Sequence, residues 1–192
     1  MRQRALGLTR LATSRVEELA AADRDPPVQL CAFFVGAEEY AVDIMRVEEI
    51  LQPQRLTPIR GAPPFLEGVI RLRGSIIPVV DLRKRLLGQG EPVNTPKTRL
   101  LVCWLGRKRV AFTVDRVTEV LRLRRSDIKP APALGSVGPA PFVVGVYGEP
   151  EATTREKRST QERGSERLRL LLDVKALLMS ELVREGGRRV NG

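Results

Sequence analysis

Four aspartates stand where a carboxylate could take part in general acid–base catalysis: Asp43, Asp81, Asp115 and Asp173. Asp81 and Asp173 each precede a short helical pattern, so we expect both to be helix N-caps. Asp43 and Asp115 alternate with apolar residues and are expected to face solvent. Nothing in their spacing pairs two of these carboxylates, and the acidic residues therefore give no sign of an enzyme.

The other residue types that commonly carry catalysis or bind metals are scarce. Histidine is absent, which excludes histidine-dependent catalytic triads and zinc sites that need histidine. Cys31 and Cys103 lie in separate apolar runs without metal-site spacing, so we expect free thiols in a reducing compartment. The Gly-x-x-x-x-Gly-Lys loop of nucleotide-binding proteins is missing. We predict a non-catalytic protein with no cofactor, no metal and no small-molecule substrate.

Basic residues outnumber acidic ones, 33 against 23, so the net charge is +10. Such an excess is typical of proteins that bind nucleic acid, an anionic membrane or an acidic protein surface. Arg71 and Arg73 occupy alternate positions, and therefore one face, at the end of a predicted strand, and Gly74 follows at a tight turn. A guanidinium fixed at that turn suits an acidic or amide-rich partner.

Short strands are the main elements that must position these residues. One predicted hairpin covers residues 30–44, with a polar turn at 36–39, and another pairs Leu66–Leu72 with Ser75–Val80 across Arg73 and Gly74. The remaining predicted elements are a strand at Val47–Leu51, a helical turn at Leu82–Leu87 ended by Gly88, strands at Leu100–Leu105, Arg109–Val114, Val117–Leu123, Phe142–Val146 and Leu168–Leu172, and a last helix at Val174–Arg184.

A repeat underlies this order of elements. Gly36–Leu51 aligns without a gap on Gly106–Leu121, with six of sixteen residues identical. Residues 64–69 align with 141–146, and 79–82 with 171–174. Each half thus holds about five short strands and a capped helix. Because open strand edges promote aggregation, we predict a mainly β fold of two related, five-stranded closed barrels.

Three segments are expected to lie outside the barrels. Residues 1–27 form an N-terminal extension in which Ser14 and Glu17 have the spacing of a helical capping box. Residues 149–166 are almost purely polar and are expected to be a flexible insertion. Residues 185–192 are expected to be a flexible tail, which leaves residues 28–184 as the folded domain. Since no apolar run is long enough to cross a bilayer or to act as a signal peptide, we expect a cytoplasmic protein.

Residues 28–180 resemble CheW, the family of coupling proteins of bacterial chemotaxis. The resemblance is carried by Phe34–Leu51, by Ile59–Leu82 with its Leu72-Arg73-Gly74 turn, and by Val114–Val117 and Leu171–Val174. It implies two SH3-like barrels and a non-catalytic adaptor. Its implied partners are the cytoplasmic hairpin tip of chemoreceptors, the regulatory domain of a CheA-type histidine kinase and other CheW-like proteins, in membrane-associated arrays.

The resemblance also assigns receptor-binding residues by position. Arg73 matches the family's receptor-binding arginine, Val47 and Glu49 match positions implicated in receptor contact, and Gly68 and Gly74 match the glycines that shape that surface. Two positions depart from the family pattern, because Arg71 replaces a usual asparagine and Arg99 a usual apolar residue. Both add charge to the expected surface and are included among its residues.

The alternative is a small basic barrel that binds nucleic acid. That function needs aromatic side chains on a basic face. Here the aromatic residues lie within apolar strand runs or at their edges, where core packing is expected. The two functions differ in a measurable way, because affinity for nucleic acid falls steeply with salt.

Overall fold

Ten β-strands make up most of the computed structural model, which describes residues 25–88, 94–131, 141–149 and 167–178. A short helix, α1, covers Leu82–Leu87, and a second, α2, begins at Val174 and is described as far as residue 178. The strands are β1 Pro27–Val35, β2 Glu38–Asp43, β3 Val47–Leu51, β4 Leu66–Leu72, β5 Ser75–Asp81, β6 Arg99–Leu105, β7 Lys108–Val114, β8 Arg116–Arg124, β9 Val143–Glu149 and β10 Arg167–Leu172.

The strands form two five-stranded sheets, and the mainly β fold of two barrels predicted from the sequence is confirmed. The first sheet has the order β8-β1-β2-β10-β9 and the second β3-β6-β7-β5-β4. The prediction that each half of the repeat forms one barrel is wrong, because each sheet combines strands from both halves. Each half donates its first hairpin, β1–β2 or β6–β7, to the barrel that contains the last three strands of the other half.

The exchanged hairpins are buried on both faces. Leu30 and Ala32 of β1 face the core of the first barrel, whereas Cys31 and Phe33 face a central core shared with β6 and β7. The second barrel has its own core around Ile70 and Val79. Burial on both faces explains why β1 is a continuous apolar run rather than an alternating one.

The predicted helix signals are confirmed. The Asp81 carboxylate accepts hydrogen bonds from the backbone N–H of Arg83 (2.8 Å) and Lys84 (3.2 Å), and Gly88 ends α1 in the left-handed conformation. Asp173 caps α2 in the same way, through the N–H of Lys175 at 2.7 Å.

The predicted extension, insertion and tail lie largely outside the described residues, as does the predicted end of α2 at Arg184. At the amino end, β1 begins at Pro27, three residues before the strand predicted from Leu30. Within the described ranges, no helix has the length and apolar character needed to cross a membrane.

Candidate partner-binding face

The β4–β5 hairpin ends in a two-residue turn that presents Arg73. Arg73 has a φ of 47° and Gly74 a φ of 79°, the pair of positive values that defines a type I′ turn. Positive φ is uncommon for a residue with a Cβ, and Arg73 is the one such non-glycine residue in the described chain. The turn holds its backbone in place while 69% of the side chain remains exposed.

Arg73 is oriented by an ion pair with Glu49. Its Nη2 lies 3.0 Å from Oε2 of Glu49, whose side chain is only 19% exposed. Glu49 belongs to β3 and Arg73 follows β4, and these strands are the two edges of the second sheet. The pair therefore crosses the seam where the barrel closes, and it leaves most of the guanidinium's donors facing solvent.

Gly68 allows the loop before β4 to lie directly on that strand. Its φ is +151°, and a Cβ there would be 2.4 Å from the carbonyl oxygen of Thr57. The close approach is fixed by two backbone hydrogen bonds between Thr57 and Val69, both of 2.9 Å. The structure thus supplies a steric reason for glycine at this position.

Val47 and Glu49 are separated by a β-bulge in β3, because Val47 pairs with Cys103 but Glu49 pairs with Val102. Val47 is half-buried and packs on the central core. Glu48, between them, reaches Nη1 of Arg109 at 3.2 Å. Consecutive glutamates thus reach different parts of the second sheet, Glu48 contacting Arg109 of β7 and Glu49 contacting Arg73 in the β4–β5 turn.

The two residues that depart from the family pattern are placed differently. Arg71 is exposed on β4, opposite Ile76 of β5 and two residues from Arg73. Arg99 begins β6, and its Nη1 donates to the carbonyls of Pro96 (2.8 Å) and Thr98 (2.7 Å). Its guanidinium is engaged by this loop rather than by the Arg73–Glu49 pair.

A set of exposed apolar residues was not predicted from the sequence. Ile50 on β3 corresponds in the repeat to Val120 on β8, and Ile76 on β5 corresponds to Leu168 on β10, so four of the nine exposed large apolar residues of the described chain form two matched pairs. A comparison of the two halves for apolar residues at aligned positions, rather than for identical residues, would have revealed the matched pairs. The matched residues are Ile50 and Ile76 in the second barrel and Val120 and Leu168 in the first, and the unmatched ones are Met45, Ile59, Leu87, Trp104 and Val144.

The aspartates serve structural roles. Asp43 is exposed and caps a 3-10 turn through the N–H of Met45 at 2.9 Å. The expectation that Asp115 faces solvent is wrong, because it pairs with Arg83 of α1 and accepts a 2.7 Å hydrogen bond from the N–H of Gly36. Among the described residues, no cluster of histidine, cysteine or acidic side chains has metal-binding geometry.

Both cysteines are free and fully buried. Burial raises the pKa of the Cys31 thiol to about 11. Burial, with a smaller contribution from Cys31 nearby, raises the pKa of Cys103 to about 12. Because the thiolate is the nucleophile, these side chains are inert core residues rather than reactive ones.

The aromatic residues do not form a platform for nucleic-acid bases. Phe33, Tyr40 and Phe112 are buried in the central core, and the ring of Phe34 is covered by the guanidinium of Arg116 at 4.0 Å. Trp104 differs from the expectation of core packing, because 39% of it is exposed. A single exposed indole does not provide the series of stacking surfaces that single strands bind.

Comparisons with known proteins agree with this fold. The family model of the CheW-like domain matches residues 29–182. The chain is 33% identical over 149 residues to the chemotaxis protein CheW of Klebsiella aerogenes, covering 78% of this chain and 80% of that protein. It is 36% identical over 126 residues to protein FrzA of Myxococcus xanthus, covering 66% of this chain and 78% of FrzA.

A solved structure is also similar, that of the scaffolding protein TtCheW from Thermoanaerobacter tengcongensis. The TM-score is 0.62 at 28% sequence identity, and the match covers 79% of this chain and 87% of that one. Identity at this level supports a shared arrangement of both barrels.

Proposed function

The chain belongs to the CheW-like family, and from that premise we propose that it couples chemoreceptors to a CheA-type histidine kinase through the face built around Arg73. It is a chemotaxis adaptor that acts by binding rather than by catalysis. The residues that we assign to the receptor contact are Arg73, Glu49, Val47, Gly68 and Gly74, with Arg71 and Arg99 at its margin.

The observation that carries this assignment is the Arg73–Glu49 pair. Glu49 fixes the direction of the guanidinium, while the exposed Nη and Nε donors stay free to bind carboxylates or amides of a helical hairpin. A donor group held in place before binding loses little conformational freedom when the partner arrives. The resemblance places the receptor-binding arginine of the family at this same residue.

Contacts with other CheW-like domains are assigned to the matched apolar residues. Ile76 is 70% exposed on β5, and Leu168 occupies the corresponding position of β10. Exposed apolar side chains at equivalent positions of two related barrels suit pseudo-symmetric barrel-to-barrel contacts, in which one barrel faces a barrel of the next protein. Such contacts would join the chain to the regulatory domain of the kinase.

The test of the receptor face is the affinity of the purified full chain for a receptor cytoplasmic hairpin. Arg73→Glu removes the donors and places a carboxylate beside Glu49, so we expect the dissociation constant to rise about 30-fold or more, as for a central interface arginine. Arg122→Glu, which makes the same charge change on an exposed position of β8, is the matched control and should change affinity little.

Two outcomes contradict the proposal. Equal affinity of the Arg73→Glu variant and the parent, with unchanged thermal stability, would remove Arg73 from the receptor face. Retention of nucleic acid instead of receptor and kinase from nuclease-free lysate, with an affinity that falls steeply with salt, would favour the basic-barrel function.

A further inference from the structure

A groove with more apolar than polar lining residues lies at the junction of the two barrels, apart from the face around Arg73. Its volume is about 540 Å³. Its walls come from the start of β1, the 3-10 turn at Ile44–Arg46, the β6–β7 turn, the turn after β8, β9, the end of β10 and the start of α2. Met45 is 82% exposed, Val144 53% and Trp104 39%. None of the seven residues assigned to the receptor face lines it.

The repeat provides a second, smaller cavity at the equivalent position, and polar side chains pair with one another along its walls. Its volume is about 130 Å³. Arg83 and Asp115 form an ion pair across it, and the Asp115 carboxylate also holds the N–H of Gly36 at 2.7 Å. The hydroxyl of Thr113 donates to Oε2 of Glu67 at 2.7 Å, which joins β7 to β4.

At two aligned positions the larger groove has apolar side chains where its counterpart has carboxylates. The alignment of the two halves puts Met45 where the other cavity has Asp115, and Val144 where it has Glu67. Neither side chain can accept a hydrogen bond from a neighbouring strand as a carboxylate does. The substitutions leave apolar surface exposed in a concave site, which is a characteristic of docking surfaces.

We propose that this groove binds the chain's own N-terminal segment, residues 1–24, as a short amphipathic helix. The apolar positions of residues 8–19 recur at helical intervals. This apolar face matches the exposed Met45 and Trp104 in character. The apolar positions are Leu8, Leu11, Ala12, Val16 and Leu19.

The place where the segment joins the fold supports this occupant. Pro27 and Val28 form part of the groove wall, so the segment ends at the groove itself. Asp25 is fixed there, because its carboxylate accepts from the backbone N–H (2.9 Å) and the hydroxyl (2.7 Å) of Ser126. The carbonyl of Pro26 accepts from the N–H of Arg125 at 3.2 Å.

The C-terminal segment is a poorer candidate. Only the first residues of α2, as far as Lys175, line the groove. By Leu177 the helix has reached α1, where Nε of Arg85 donates to the Leu177 carbonyl at 2.7 Å. An attached N-terminal segment also has an effective concentration of about millimolar at the groove, so that weak intrinsic affinity suffices for docking.

The proposal is tested through Trp104, which is the only tryptophan of the chain and lines the groove. In the full chain the docked segment covers the indole, so we expect blue-shifted emission and weak quenching by acrylamide. Val16→Asp with Leu19→Asp should release the segment, red-shift the emission and increase the quenching constant about twofold, since the indole regains water contact. Met45→Glu, on the groove side, should give the same change.

The matched control is Thr13→Asp with Ala21→Asp, which adds the same two charges on the opposite face of the predicted helix and should leave emission unchanged. Equal thermal midpoints of parent and variants show that the barrels are intact. Identical emission and quenching in the parent and the Val16→Asp, Leu19→Asp variant overturn the proposal. A change in the parent's emission on dilution also overturns it, because the occupant would then be a second copy of the chain.

Discussion

Substitution of Gly68 by alanine tests how closely the loop before β4 must approach that strand. Alanine at a positive φ costs about 1–2 kcal/mol. The new Cβ would also lie 2.4 Å from the carbonyl oxygen and 2.9 Å from the carbonyl carbon of Thr57, so the loop has to move. Movement breaks the two hydrogen bonds between Thr57 and Val69, each worth about 1 kcal/mol. The expected loss of unfolding free energy is therefore about 3–4 kcal/mol.

Gly61→Ala is the matched control. Gly61 also has a positive φ, +72°, but nothing lies within 4 Å of a Cβ there, so only the conformational cost of about 1–2 kcal/mol is expected. Urea unfolding measures both changes, and at an m-value of about 2 kcal/mol/M the Gly68→Ala midpoint should fall by roughly 1.5–2 M. Hydrogen exchange should show faster exchange at the Thr57 and Val69 amides in that variant alone. Equal midpoint shifts for the two variants would refute the steric argument.

Two further predictions concern the cores. Arg169 is 1% exposed, and its Nε lies 3.1 Å from Oε2 of Glu39. Arg169→Leu should therefore lower the free energy of unfolding, measured in urea, by about 3–5 kcal/mol. Adding Glu39→Leu should restore at least half of that loss, because the buried carboxylate is then removed as well. If the double variant is no more stable than the single one, the charge argument fails. Since the pKa values of Cys31 and Cys103 are raised in the folded protein, unfolding releases thiol protons at alkaline pH, and stability should fall as the pH rises from about 9 to about 11. Rapid labelling of folded protein by a thiol reagent at pH 8 would contradict the burial of both thiols.

Local features of the fold were predictable because their causes are local. Turn residues and capping aspartates act over a few positions, so the hairpin at Arg73 and Gly74 and the helix after Asp81 were predicted correctly. The exchange of hairpins was not predicted. The alternation of apolar and polar residues shows which segments form strands but not which sheet each strand joins. Leu30 pairs with Leu121, and no local pattern connects residues so far apart.

The site was predictable to a similar extent. Resemblance singled out Arg73 and Glu49, but their 3.0 Å contact across the barrel seam came only from the structure. Asp115 was misjudged because its partner, Arg83, comes from a helix 32 residues earlier. The groove was missed for a different reason, since its walls combine six separate segments and its counterpart in the other half of the repeat is recognisable only from the structure.

The exchange of hairpins also sets an order in which the protein can be completed during synthesis. The barrel of β3, β4, β5, β6 and β7 has all its strands once residue 114 has left the ribosome. The β1–β2 hairpin, although made first, must wait for β10, which ends at Leu172, before its barrel can close. Until then the central core can cover one apolar face of the hairpin, while the face that belongs to the first barrel has no complete barrel to pack in. The first hairpin is thus the last to be enclosed, and it is the hairpin that a nascent-chain chaperone would have to protect longest.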